Sequence, residues 1–95
     1  MSDLTKVERV QTGVRIEKRV LKVLKALAEY KDMSVGDLIE GIVLHAFEGR
    51  SPFGAETLQK IVQLKSIYQL DLDAGSSHRL IEEAPKSRSK PKARQ

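Results

Sequence analysis

Apolar positions recur along this chain in two rhythms. Val10, Thr12, Val14 and Ile16 alternate with Gln11, Gly13, Arg15 and Glu17, the two-residue period of a β-strand over residues 9–16. From Val20 onward the spacing becomes helical. Val20, Leu21, Leu24, Leu27 and Ala28 share one face of a first helix over 18–31, and Val23 and Tyr30 widen that face. A stripe so broad predicts a helix covered on more than one side.

Ser34 followed three residues later by Asp37 predicts a capping box, with the Ser34 hydroxyl worth about 1 kcal/mol. A second helix then follows over 35–48, with Leu38, Ile39, Ile42, Val43, Ala46 and Phe47 on one face and Gly49 as its stop. Gly41 in mid-helix costs about 1 kcal/mol against Ala, which is accounted for by a helix crossing closely there or by simple tolerance. After the loop "GRSPFG", a third helix is expected over 55–69, burying Leu58, Ile61, Val62, Ile67 and Tyr68. Residues 80–83 suit a short turn. From Pro85 the chain is Pro, Lys, Arg and Ser without apolar content, the composition of a disordered tail.

A single strand in a mainly α chain has no internal partner, and its backbone groups need one. The simplest partner is the same strand of a second copy, since a two-fold axis pairs identical strands antiparallel. Val10, Val14 and Ile16 would then rest on the helices, leaving Gln11, Gly13 and Arg15 on the outer face of a two-stranded ribbon. Such a ribbon fits the DNA major groove. Arg can fork onto guanine O6 and N7, and Gln onto adenine N6 and N7. Free N–H groups at Val35 and Gly36, beside the Ser34 hydroxyl, suit a DNA phosphate.

Composition sharpens this picture. In 95 residues, loose ends leave a folded part of roughly 70, where one core is marginal and oligomerisation is expected. There is no cysteine to staple it. The net charge of +4 is unevenly spread. Residues 1–25 carry seven Lys/Arg against three acids (+4), 26–84 carry five against ten (−5), and 85–95 carry five bases and no acid (+5). Basic ends favour a polyanionic partner, although a solubilising surface would read similarly. Arg9, Lys18 and Arg19 are candidate phosphate contacts, while Lys22 and Lys25 read as solvated. No apolar run approaches the length of a membrane span and the N-terminus is polar, so a cytoplasmic protein is expected. His45 and His78 stand far apart without cysteines. No metal site, cofactor motif or nucleophile–base pair is apparent, so neither a cofactor nor catalysis is expected.

The strand "VQTGVRI", the following "VLKVLKALAEY" and the segment "MSVGDLIEGIVLHAF" together resemble the ribbon-helix-helix family, the fold of the Arc and Met repressors. The resemblance covers 10–49. It implies an intertwined homodimer whose Gln11, Gly13 and Arg15 contact bases and whose Ser34, Val35 and Gly36 hold a phosphate, a DNA-binding repressor in function. Dimers side by side on DNA are consistent with it. Four positions depart from the family pattern. Gly13 replaces a reading residue, Thr12 takes an inward position usually larger and apolar, Glu17 stands where Ser, Thr or Pro commonly begins the first helix, and Asp37 lies close to the phosphate position. The expected organisation is an arm over 1–8, a ribbon-helix-helix core over 9–49, a loop and additional helix over 50–84, and the basic tail. The third helix is available to recruit another protein, and a protein-interaction module or antitoxin-type adaptor is the alternative reading.

Overall fold

The computed structural model describes residues 4–83, and the basic tail expected over 85–95 lies outside them. Three α-helices follow one another: α1 (Lys18–Tyr30), α2 (Val35–Phe47) and α3 (Ala55–Ile67), with a 3-10 turn at Ala74–Ser76. α2 and α3 each pack on α1, and their backbones make no close approach to one another. The breadth of the α1 stripe has this cause, because α1 alone is covered from two directions.

Among the described residues the buried core consists of Val23, Leu27 and Ala28 from α1 and Leu38 from α2. Leu24, Val35, Ile42, Phe53, Ile61 and Leu64 pack around it while remaining partly exposed. Two lysines brace the α1–α3 side. The Lys60 ammonium sits 4.9 Å from the centroid of the Tyr30 ring, and that of Lys22 sits 6.0 Å from the Tyr68 ring. Lys22 itself remains exposed, in keeping with the solvated role expected of it.

All three helices end in the same way. The amide two residues beyond the cap bonds back to a carbonyl in the last turn: Met33 to Ala28 at 2.9 Å, Arg50 to His45 at 2.9 Å and Leu70 to Lys65 at 2.8 Å. Each bend needs one left-handed residue, and Asp32, Gly49 and Gln69 supply it with φ of 60°, 70° and 55°. Only Gly49 adopts that conformation without steric cost. The helix stops expected from the sequence thus agree to within two residues, although two of the three bends use no glycine.

The expected strand over 9–16 is absent. Residues 4–17 have no regular structure, and no strand occurs among the described residues. The ribbon-helix-helix architecture, with strands paired across an intertwined homodimer, is therefore overturned, and the fold is a small three-helix arrangement. The physical reason is that alternation assigns faces to an extended segment without supplying its hydrogen bonds. A strand exists only where a neighbouring strand accepts and donates, and the described residues offer none. Val10 and Val14 do not rest on the helices, being 80% and 73% exposed, and Ile16 is only half-buried.

The helix faces are corrected as well. On α3 it is Ile61 and Leu64 that meet the core, whereas Leu58, Val62 and Ile67 face away from it. With α1 as its sole helical neighbour, α3 can bury only one narrow stripe. On α2, Leu38 is buried but Val43, Ala46 and Phe47 are exposed, so the second half of its apolar face is uncovered.

Candidate nucleic-acid interface

α1 begins at Lys18 because Glu17 caps it. The Glu17 carboxylate accepts the Val20 N–H at 2.9 Å and is held by Arg19 Nε at 3.0 Å. Partial burial pushes the Glu17 carboxyl up, but the Val20 amide and the Arg19 guanidinium together hold it below the usual carboxylate range. Glu17 thus takes the capping role that a Ser or Thr would otherwise fill. Arg19 is further engaged, donating Nη1 to the Gln69 carbonyl and to Asp71, both at 3.0 Å. Its pKa is raised, first by the hydrogen bond to Glu17. Arg19 therefore ties the start of α1 to the chain beyond α3. A phosphate contact by this residue requires those bonds to exchange, whereas its neighbour Lys18 is exposed.

α2 begins on Ser34, whose hydroxyl accepts the Asp37 N–H at 3.0 Å. Only this half of the expected capping box forms. The Asp37 carboxylate instead faces Arg9, 3.8 Å from its Nη2. The N–H groups of Val35 and Gly36 precede the first intrahelical bonds and have no hydrogen-bond partner among the described residues. Ser34, Val35 and Gly36 therefore form an open helix N-terminus, and the structure brings Arg9 alongside it.

Arg9 reaches across from the extended segment to α2 and grips Glu40 with both arms of its guanidinium, Nε to Oε2 and Nη2 to Oε1 at 2.8 Å each. The hydrogen bond to Glu40 raises the Arg9 pKa, and the same bond holds the Glu40 carboxyl below the usual range. Gln11, Gly13 and Arg15, the three expected base contacts, are all exposed on this segment, and nothing lies within 4 Å of where a Cβ on Gly13 would stand. Arg15 is not solitary. It pairs with Glu82, with Nε donating to Oε1 at 3.2 Å, across 67 positions of sequence.

Glu40, Asp71 and Glu82 were not singled out from the sequence, although a signal was present. The acidic middle of the chain is the complement of its basic start, and three arginines of that start are met by carboxylates of the middle or by Glu17. His45 Nδ1 lies 2.7 Å from the Gly41 carbonyl and is engaged within α2. No group of three or more His, Asp or Glu side chains suited to a metal ion occurs among the described residues. No described helix is long and apolar enough to cross a membrane. No protein-family model, no curated protein and no solved structure matches the chain.

Proposed function

We propose that this protein binds double-stranded DNA as a homodimer in the cytoplasm and acts as a transcriptional regulator, with its exposed N-terminal segment as the contact surface. The observation that carries this reading is the presentation of residues 9–16. They have no regular structure, are solvent-exposed except at Ile16, carry Arg9, Gln11 and Arg15, and lead from Arg9 beside the open N-terminus of α2 to the start of α1. Extended basic arms contact DNA without being strands: Arg and Gln reach base edges and the phosphates position the arm. Gln11 and Arg15 are the base-reading candidates, and Gly13 lets the backbone come close. Lys18 with the Ser34–Gly36 amides would hold phosphates, and Arg9 would do so once released from Glu40. The homodimer is supported by the uncovered half of α2, where Val43, Leu44 and Phe47 are 37%, 63% and 80% exposed. Apolar groups in such a row gain from burial against a second copy.

Selection from random duplex DNA tests the reading. Enrichment of a palindromic or repeated half-site is expected, and Arg15→Ala is expected to weaken discrimination between sites while leaving the protein folded. Unchanged discrimination removes Arg15 from the contact surface. A second reading, a protein-interaction module, is favoured by the exposed Leu58 and Val62 of α3, at 47% and 66%. Absence of any enriched DNA sequence would support it instead.

A further inference from the structure

Resting on the DNA-binding reading, we infer that the chain restrains its own contact surface, with Glu40 and Glu82 occupying Arg9 and Arg15 as internal stand-ins for the acceptor atoms of DNA. The geometry is that of phosphate recognition. Arg9 uses both arms on the two oxygens of one carboxylate, the fork that guanidinium offers equally to phosphate. Asp37 adds a second carboxylate on the same side. Arg15 is held by a carboxylate that belongs to no helix and arrives from far along the chain. Arg19 follows the same pattern at the base of the segment, between Glu17 and Asp71. Each arginine of residues 4–19 thus meets at least one acid of its own chain.

Two features make these contacts restraints rather than locks. The side chains of Arg9, Arg15, Glu40 and Glu82 are 61%, 81%, 47% and 61% exposed, so water and salt weaken each pair. Duplex DNA is far denser in charge than one carboxylate, and its binding is driven by counterion release. DNA therefore displaces the acids, at a cost in affinity set by how well they hold. An isolated phosphate contact meets little charge-based competition, whereas here each arginine contact begins as an exchange. The consequence is a lowered non-specific affinity, since scattered contacts with random DNA must displace the same acids without the gain from base contacts.

The test is the affinity of the full chain for random-sequence duplex DNA at low salt, for the wild type, five single carboxylate or arginine variants and one double variant. Glu82→Gln and Glu40→Gln are expected to tighten binding about two- to fivefold each. Glu83→Gln makes the same change in net charge without removing the acceptor for Arg15, and is expected to gain less. In the background of Arg15→Ala the gain from Glu82→Gln is expected to vanish, because no arginine remains to be released. A Glu82→Gln variant no tighter than Glu83→Gln, with Arg15→Ala still weakening binding, overturns the restraint and leaves the DNA reading standing. Binding unchanged by Arg15→Ala, and equally by Arg9→Ala, removes the DNA reading and the restraint with it.

Discussion

Replacing Gly41 by Ala should stabilise this protein. Gly41 lies in the interior of α2, where glycine costs about 1 kcal/mol relative to alanine because its unfolded backbone has more freedom to lose. An alanine normally forfeits this gain only where its methyl group collides with a neighbour. Here a Cβ at position 41 meets nothing within 4 Å. The Gly41 carbonyl accepts from His45, and the substitution leaves that oxygen in place. The full propensity term of about 0.5–1 kcal/mol is therefore expected, which for a domain of this size raises Tm by roughly 2–8 °C. Thermal unfolding followed by circular dichroism reads the shift directly, and it should be the same at low and high protein concentration. A fall in Tm would refute the reasoning. It would show that a helix, from this chain or a second copy, crosses α2 at Gly41, as the sequence alone allowed. A gain confined to low concentration would place the crossing within a dimer.

Three further outcomes are expected. Leu38→Ala removes the one buried side chain of α2 and should cost about 2–5 kcal/mol in urea unfolding, whereas Leu44→Ala, at a 63% exposed position, should change the monomer's stability by less than about 0.5 kcal/mol. Acid should destabilise the fold through Glu17 and Glu40. Their folded pKa values lie below the usual carboxylate range, so their contribution is fully present above that range and is lost as pH falls through the folded values. Glu17→Gln should flatten the acid limb of a Tm-against-pH profile, and an unchanged limb would rule out Glu17 as a source of it. Gln69→Gly, at φ 55°, should stabilise by up to about 1 kcal/mol, because glycine takes the left-handed bend without a Cβ clash. Chemical denaturation checks this, and a loss would mean that the Gln69 side chain makes a compensating contact.

Helix positions were legible because their signals are local. Ser34, Gly49 and the recurrence of Leu24, Leu27 and Leu38 act within one turn or between adjacent elements, and the helices fall where those residues place them. The strand at 9–16 was misread because alternation is a statement about faces, while strand formation is a statement about partners. The burial of Val62 and Phe47 was misread for a related reason. Apolar character shows that a face favours cover, and the number of neighbours decides whether it is covered. At the candidate interface Gln11, Gly13 and Arg15 are exposed, but so are Val10, Thr12 and Val14, and Arg9 stands beside the α2 N-terminus. The engagement of Arg9, Arg15 and Arg19 by Glu40, Glu82 and Asp71 was not legible. Charge segregation along a chain fits an external polyanion and internal pairing equally well, and three-dimensional placement alone separates them.

The short connections at 31–34 and 48–54, each opened by a backbone-locked bend, bear on how the molecule assembles. α1 and α2 are joined by a short connection, so little loop entropy opposes their docking, and small helical chains fold within about microseconds to milliseconds. Like the α1–α3 packing and the Arg19–Asp71 pair, the Arg9–Glu40 and Arg15–Glu82 bridges are distant in sequence, spanning 31 and 67 positions. They are expected to close last and, lying on exposed chain with few packed neighbours, to open first. A helical body with its N-terminal arginines released is then a shallow excursion from the resting state. The form with free arginines can be visited continually, without unfolding the helices that position it.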